Sequence, residues 1–554
     1  MRDLWYKSAV VYGLDVETFA DGNGDGIGDF VGLTSRLAYL AGLGVNCLWL
    51  LPFYPTPNRD NGYDITDYCS VDPRLGTLAD FVQFTHEAEE YGIRVVVDLV
   101  LNHTSDQHPW FKSARSSRTS PYRDWYVWSD TKPPDADKGI VFPGVQKSIW
   151  SWDKQARAYY YHRFYEFQPD LNILNPAVRE EFQRIMGLWL QLGVSGFRVD
   201  AAPFLIEHMG KGAPDQEHID PFAHIEEMRD FLQWRLGDAV LLAEANVPMD
   251  TIGAYFGNGN RMHILYNFAV NRNLFLALAK GSSEPLVKAL EDLPPLPETG
   301  QWGTFLRNAD ETDFSQLAPE DMALLLDVYG PDPKMRIFDR GVRRRLAPML
   351  GGNPRRINLA FALMFGLPGT PVIYYGDEIG MGEDMSLPER NPVRTPMQWT
   401  GEANGGFAPA TAKKLIRPVI DGGPYGYQAV NVAWSQRDPD SIVNHVEKLI
   451  RTYKQLPSLG WGKWRVLKTD APTVLALHYE WRGERVMTLA NVAEQPCTLR
   501  IAEGNRDPWS LREVIADGEY APVPDTGQSI LIEGYGYRWF RVGGEIHLGG
   551  RHSG

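Results

Sequence analysis

Gly196-Phe197-Arg198-Val199-Asp200-Ala201 alternates apolar and ionic side chains. A period of two reads as a short β-strand, with a guanidinium and a carboxylate on one face at its end. Buried ionic groups are costly unless paired, so a structural Arg–Asp pair competes with a functional reading of this stretch alone. Its neighbours along the chain decide between them. Strand-like apolar runs also occur at Val11–Phe19, Val45–Phe53, Arg94–His103, Val240–Asn246, His263–Phe268, Thr304–Asp310 and Pro371–Gly376. Helical patterns such as Leu78–Tyr91, Val178–Leu192 and Arg356–Met364 lie between them. Eight strands alternating with helices is the count of a (β/α)8 barrel.

The expected fold is therefore α/β, a TIM barrel built from residues 1–104 and 176–459. The longest gap, from His103 to Gly196, exceeds what one helix needs. Residues 105–175, rich in Ser, Asp, Pro and aromatics, are read as a small domain inserted after strand three. Past residue 460 the texture changes. Val474–Trp481 and Arg485–Val492 flank Arg482-Gly483-Glu484, a hairpin signal. Further strands at Ser529–Ile532 and Tyr537–Val542 suggest that 460–554 forms an antiparallel β-sandwich. The tail Gly549–Gly554 is expected to fray.

Composition excludes several classes. With 554 residues, 44% hydrophobic and 12% aromatic, the chain can bury a large core. A net charge of −15 is unsuited to nucleic acid. The one dense basic cluster, Arg340 to Arg345, is read as helix-like and facing solvent or carboxylates. No apolar run reaches the roughly 18 residues of a membrane span, and Met1 to Lys7 lacks a signal-peptide pattern. Cys47, Cys69 and Cys497 are scattered and odd in number, which points to a reducing, cytoplasmic setting.

Reactive residues of such barrels sit at the C-terminal ends of the strands. Those ends read Asp98-Leu99-Val100-Leu101-Asn102-His103, Arg198-Val199-Asp200, Ala243-Glu244-Ala245-Asn246 and Arg307-Asn308-Ala309-Asp310. Three acids from separate strands converging on one rim repel one another, which is hard to explain structurally. Cleaving an acetal needs one protonated and one ionised carboxyl in differing environments. Asp200, beside Arg198, is expected to stay ionised as the nucleophile. Glu244, between Ala243 and Ala245, is expected to have a raised pKa and serve as acid/base. Asp310 is left to bind sugar hydroxyls.

These strand ends, with Gln168-Pro169-Asp170-Leu171-Asn172 and Asn61-Gly62-Tyr63-Asp64, resemble the α-amylase superfamily, glycoside hydrolase family 13. Within it, Leu50–Pro55, Asn102–Phe111, Tyr122–Ser129, Arg343–Pro348 and Arg394–Trp399 resemble the members that interconvert maltose and trehalose. The resemblance implies Asp200 as nucleophile, Glu244 as acid/base and Asp310 as transition-state stabiliser. It implies a sugar site lined by Tyr63, Asp64, His103, Arg198 and Arg394. Three positions depart from the family pattern. Ala309 stands where His is usual between Asn308 and Asp310, Phe167 where His tends to precede Gln-Pro-Asp, and Asp15-Val16-Glu17 where an aromatic or His and an Arg are usual. Loss of hydroxyl partners at Asn308-Ala309 and Phe167 is expected to alter recognition of the sugar under attack.

Asp21-Gly22-Asn23-Gly24-Asp25-Gly26-Ile27-Gly28-Asp29 places oxygen donors at alternate positions, with Gly26 at the sixth and the Ile27 carbonyl available. This is the first part of an EF-hand spacing and suits structural Ca²⁺. A second Ca²⁺ site is considered at Asn102, Asp170 and Glu207, helped by the Phe204 and Leu205 carbonyls. No organic cofactor is expected. The expected partner is a small α-glucoside, not nucleic acid or membrane, and a homodimer is allowed for. The leading reading is a retaining enzyme on small α-glucosides through a covalent glycosyl-Asp200. Enclosure of the released glucose, by the insertion and the Asn404–Ile420 loop, would make it an isomerase. The alternatives are a hydrolase with altered sugar specificity and, more remotely, a non-catalytic relative.

Overall fold

The computed structural model describes residues 4–207, 220–409, 411–412, 414–501, 510–523 and 529–543, the side chains of Ile206 and Glu207 excepted. The expected tail at Gly549–Gly554 lies outside them. Eight parallel strands close into a barrel: β1 (Val11–Leu14), β2 (Cys47–Leu50), β3 (Arg94–Leu99), β4 (Gly196–Val199), β5 (Val240–Ala243), β6 (Ile264–Tyr266), β7 (Gln301–Phe305) and β8 (Thr370–Tyr374). Closure is by β1 on β8, with Val11 opposite Val372. The strands are almost wholly buried, as parallel strands covered on both faces must be. Gly196 opens β4 because a Cβ there would lie 2.3 Å from the Val240 carbonyl oxygen of β5. The seventh strand begins earlier than its sequence pattern suggested. Gln301–Phe305 is the paired, buried stretch, and Arg307–Asp310 belong to the loop beyond it.

Local signals explain the helices that carry the barrel. Thr77 and Asp80 form a capping box at the start of Leu78–Glu90. Asn175 caps Pro176–Gln191 and Asn353 caps Pro354–Gly366, each with proline at the first turn, where its missing N–H costs nothing. The basic cluster is not helical. Gly341–Val342 is a short strand, while Arg340, Arg344 and Arg345 each pair with a carboxylate, Glu311, Glu383 and Asp377 respectively.

The insertion leaves and rejoins the barrel at one place, where His103 bridges Asp170 and Tyr126 bridges Leu171. It holds an antiparallel sheet in the order Trp128–Ser129, Ala158–Tyr161, Trp150–Asp153. At the C-terminus, five antiparallel strands run in the order Lys463–Val466, Val474–Trp481, Glu484–Asn491, Tyr537–Val542, Leu511–Ala516. Arg482 and Gly483, both at positive φ, make the two-residue turn between the second and third. Strand alternation gives this sheet two apolar faces. Leu475, Leu477, Tyr479 and Trp539 join the barrel's core, while Ala476, Met487, Leu489 and Phe540 pack with Leu499, Ile530 and Ile532 of a second, two-stranded sheet. Among the described residues, no helix is long and apolar enough to cross a membrane.

Candidate active site

A cavity of about 560 Å³ opens at the C-terminal ends of the barrel strands and holds Asp200, Glu244 and Asp310 in its wall. The backbone brings the first two together. Asp200 N–H donates to the Leu99 carbonyl, Glu244 N–H to Val199, and Ala202 N–H to Glu244. Ala201, in the cavity wall, sits at φ +48°, an unfavourable region for a residue with a Cβ. This strained backbone turns the chain sharply just after Asp200.

Arg198 organises the charges beneath the cavity. Its guanidinium is buried, and Nη1 lies 2.6 Å from Asp200 Oδ1 and 2.9 Å from Asp98 Oδ1. Nη2 donates to Glu244 Oε2. One cation therefore ties together carboxylates from β3, β4 and β5. Asp98 also accepts from the Tyr63 hydroxyl at 2.9 Å. Burial is the largest influence on Asp98 and, with Asp200 nearby, pushes it up to about 7 against the pull of Arg198. Burial also dominates at Glu244. The negative charges of Asp310 and Asp200 add to it and Arg198 opposes it, and the carboxyl is pushed up to about 8.

Asp310 has the opposite fate. Burial would raise it, but Arg390, Arg394 and Arg198 outweigh that and hold it below the usual carboxylate range. Arg390 Nη1 lies 2.6 Å and Arg394 Nη2 3.0 Å from its Oδ1. Arg390 also reaches Asp60 Oδ1 at 2.8 Å, and so spans the cavity wall between two acids. The site thus favours a proton on Glu244 and a charge on Asp310, and so sets two neighbouring carboxyls apart in the way that acid–base work requires.

The structure distributes the remaining sequence candidates unevenly. Tyr63, His103 and Asn308 line the cavity. His103 Nε2 is 3.1 Å from the Tyr63 carbonyl oxygen and Asn308 Oδ1 accepts from Asp310 N–H at 3.1 Å. Arg394 is fully buried behind Asp310 and also donates to the Ala309 carbonyl at 2.9 Å. Ala309 is itself wholly buried and outside the cavity wall. Asp64 is not a cavity residue. It is buried, and its carboxylate accepts from the Thr56 hydroxyl and from the Arg59 and Asp60 amides, bracing the loop whose Asp60 faces the cavity. Phe167 is likewise displaced from the cavity, stacked on Tyr165 at 5.0 Å and under the Arg59 guanidinium at 4.3 Å. Among the described residues of the Asn404–Ile420 loop, none lines the cavity. Arg417 of that loop instead answers the acids at the first strand's end, 2.5 Å from Glu17 and 3.7 Å from Asp15. Burial, with Glu17 beside it, pushes Asp15 up to about 7.

The metal candidates also fall into two groups. In the loop from Asp21 to Asp29, Asp21 accepts from the Asn23, Gly24 and Gly26 amides, Asn23 from Asp25, and Asp25 from Ile27. Asp29 caps helix Phe30–Thr34 and accepts from the Gly22 and Asn23 amides. Among the described residues, no three His, Cys, Asp or Glu side chains gather at a metal-sized spacing. A cation here would need backbone or Asn carbonyl oxygens beside at most two of these side chains. At the second location Asn102 Oδ1 is buried without a hydrogen-bond partner, which suits a cation contact. Asp170 is buried nearby in the chain pairing and accepts from Arg163 N–H. Phe204 edges against Phe164, Leu205 is buried, and the Glu207 side chain lies outside the described residues.

Several wall residues were not among the site candidates read from the sequence: Asp60, Phe142, Arg163, Phe164, Arg390, and Arg340, which was read only as part of a basic cluster facing solvent or carboxylates. Asp60 immediately precedes the Asn61–Asp64 motif, and Arg390 lies four residues before Arg394. Spacing alone does not say which member of each pair faces the cavity. Phe142 and Arg163 come from the insertion, whose loops carry no periodic signal.

The α-amylase catalytic-domain model matches residues 16–315 and 342–462. The chain belongs to the α-amylase family. It is 38% identical over 551 residues to a trehalose synthase of Pimelobacter, an alignment spanning 97% of this chain and 96% of that one. It is 39% identical over 555 residues to the trehalose synthase/amylase of Mycolicibacterium smegmatis, covering 97% and 92%. With the trehalose synthase of Thermus thermophilus identity is 44% over 499 residues, 89% of this chain but only 51% of the longer relative. Among solved structures, a trehalulose synthase mutant superposes with a TM-score of 0.78 at 26% identity, covering 97% and 100% of the two chains. The trehalose-6-phosphate hydrolase of Bacillus licheniformis superposes with a TM-score of 0.77 at 25% identity, covering 98% and 100%. As a member of the α-amylase family, the chain is a glycoside hydrolase or transglucosylase active on α-glucosides.

Proposed function

We propose that this α-amylase family member interconverts maltose and trehalose through a glycosyl-enzyme. The observation that carries the chemistry is the shared grip of Arg198 on Asp200 and Glu244. Two carboxylates held by the two ends of one guanidinium fit the about 5–5.5 Å separation of a retaining pair better than the about 6.5–9.5 Å of an inverting one. Asp200 attacks the anomeric carbon while protonated Glu244 delivers its proton to the leaving oxygen. Asp310, kept ionised by Arg390 and Arg394, accepts hydroxyls of the distorted ring and stabilises positive charge at the anomeric centre. In the return step ionised Glu244 takes the proton of the incoming hydroxyl as the Asp200 ester bond breaks. Attack by the 1-hydroxyl of the retained glucose gives trehalose, and attack by water gives glucose.

Similarity to trehalose synthases over nearly the whole chain favours the first outcome. The second reading is a hydrolase: Ala309, where the family usually has His, is buried outside the cavity wall and offers the glycone no side-chain hydrogen bond. Incubation with maltose, trehalose, sucrose and isomaltose, followed by product identification, separates the two. Trehalose from maltose and maltose from trehalose are the expected products. Glucose as sole product from maltose would replace the isomerase with a hydrolase. We further propose Ca²⁺ as a structural ion, held by the oxygen-rich loop from Asp21 to Asp29 and by Asn102 with Asp170. It would fix backbone and take no part in bond cleavage.

A further inference from the structure

Arg417 lies outside the cavity wall and is only 8% exposed. Its guanidinium nonetheless touches both segments that frame the glycone end of the cavity. Nη1 donates to the Arg394 carbonyl at 3.2 Å, and the Arg394 side chain holds Asp310. Nη2 donates to Asn61 Oδ1 at 2.5 Å, and Asn61 adjoins Asp60. In the wall itself, Arg390 joins the same two segments through Asp310 and Asp60. The contacts therefore close a ring, from Arg417 through Asn61 and Asp60 to Arg390, on to Asp310 and Arg394, and back to Arg417. Arg390 ties the two segments together at the cavity surface, and Arg417 ties them from behind.

The turn that carries Asp60 needs such support. Asn58 and Asn61 sit at φ +58° and +49°, in the left-handed region that costs a residue with a Cβ. Backbone of this kind persists where its surroundings over-determine it. Here the Arg417–Glu17 pair holds both asparagines. Glu17 Oε1 accepts from Arg417 at 2.5 Å, and Glu17 Oε2 accepts from Asn58 Nδ2 at 3.0 Å. The pair is fixed in turn. Asp15 and Glu17 are both buried, and buried acids hold a cation in place. Beside Arg417, Ile416 N–H donates to the Gly26 carbonyl at 2.9 Å. A Cβ on Gly26 would lie 1.6 Å from the Lys414 carbonyl oxygen, so the two loops are in close contact. The remaining oxygen of Asp60 accepts from Gln168 Nε2 at 2.8 Å. We propose that Arg417 is a positioning residue for the glycone, fixing the spacing of Asp60 and Asp310 so that the two acids grip one sugar ring together and reject its epimers. The proposal rests on the reading that Asp310 meets the glycone, and it applies to isomerase and hydrolase alike. Arg417 touches neither the sugar nor the reacting atoms. Its effect passes through Asn61 and Arg394.

The test compares wild type with Arg417→Lys, Asn61→Gly and Asp60→Asn. Arg417→Lys keeps a cation beside Glu17 but lacks the fork that reaches Asn61 and Arg394 together. Asn61→Gly removes only the acceptor, because glycine adopts φ +49° without strain. It also leaves the Arg417–Glu17 pair intact, and so serves if the lysine variant does not fold. Two quantities are read in each. One is the ratio of Ki for the galactose-configured epimer of 1-deoxynojirimycin to Ki for 1-deoxynojirimycin itself. The other is kcat/KM for maltose and for 4-nitrophenyl α-glucoside. Arg417→Lys and Asn61→Gly are expected to lower the Ki ratio about ten-fold and kcat/KM about 10- to 100-fold, since a misplacement of about 1 Å has effects of this size. The loss should be equal for the two donors, because the leaving-group side is untouched. A merely structural role would lower Tm and leave the Ki ratio alone. An unchanged ratio in either variant, folded by near-UV circular dichroism, overturns the proposal. A loss confined to maltose also overturns it, since that places the damage at proton donation. Asp60→Asn should lower the ratio too, and no loss there overturns the placing of the glycone and the proposal with it. A lowered ratio in all three, with no trehalose from maltose in wild type, overturns the isomerase reading and leaves the role of Arg417 standing.

Discussion

Raising the pH from 7 to 9 probes Glu244 directly. Its carboxyl is pushed up to about 8 by burial and by the neighbouring Asp310 and Asp200 charges. At pH 7 such a group is ~90% protonated, whereas one at the usual 4.5 would be protonated in only about 0.3% of molecules. The dependence of kcat/KM on pH reports the free enzyme, which is the state described here. For maltose, kcat/KM is expected to halve near pH 8 and to reach roughly one-tenth of its plateau at pH 9. An α-glucoside with an acidic aryl leaving group needs no proton on departure, so its kcat/KM should lack this alkaline fall. Glu244→Gln should cost about 10²- to 10⁴-fold on maltose and far less on the activated donor. Steady-state kinetics across pH 6–9.5 with both substrates reads all of this. An alkaline limb identical for the two donors, or one that persists near 8 in Glu244→Gln, would refute the assignment of Glu244 as the proton donor.

Arg390→Met removes the 2.6 Å partner of Asp310 and the 2.8 Å partner of Asp60. With Arg394 and the more distant Arg198 left, the Asp310 carboxyl rises, so activity should be lost at higher pH as the medium is acidified, and kcat/KM should fall about 10- to 100-fold, the cost of one charged hydrogen bond; an unmoved acid limb contradicts this. Glu378 is fully buried, accepts from the Tyr12 and Tyr39 hydroxyls at 2.8 Å each, and is pushed up from 4.5 to about 7, mainly by burial. The folded state therefore holds this proton more tightly than the unfolded one, and stability declines as pH rises from 4.5 to about 7. Glu378→Gln should remove that decline, gaining up to roughly 3 kcal/mol above pH 7 in urea unfolding, and an unchanged pH dependence would exclude it. For the oxygen-rich loop, Ca²⁺ at a hundred-fold excess over its Kd should stabilise by about 2.7 kcal/mol and raise Tm. Asp21→Ala should abolish that response, and identical melting with Ca²⁺ and with chelator would remove the ion.

Much of the barrel is legible in the chain because parallel strands, buried on both faces, must be short apolar runs. The carboxylates were legible for a related reason: Asp200 and Glu244 directly follow β4 and β5, where chain order dictates the rim. Asp310 was read as the end of the seventh strand, although that strand ends at Phe305 and Asp310 stands in the loop beyond it. The errors occur where two similar residues share one loop. Asp64 carries the motif, yet Asp60 faces the cavity, because Asp64 is consumed by the amides of its own turn. Phe167 sits before the Gln-Pro-Asp motif but stacks on Tyr165, as its ring finds an aromatic face nearer than the sugar site.

The sequence by itself determined that eight strands and their loops carry three acids and an arginine to one rim, since strand period and chain order suffice for that. It also determined the odd pair Asp15 and Glu17, though not their partner. The sequence expected the proton on Glu244 from its alanine flanks, but only the tertiary structure decided how Arg198, Arg390 and Arg394 are shared among acids scattered between Asp60 and Asp310. It alone joined Arg340 to Val141, two residues 199 positions apart in the chain. Charge sharing and loop closure act over a few ångströms in space, and the chain's own order does not encode those distances.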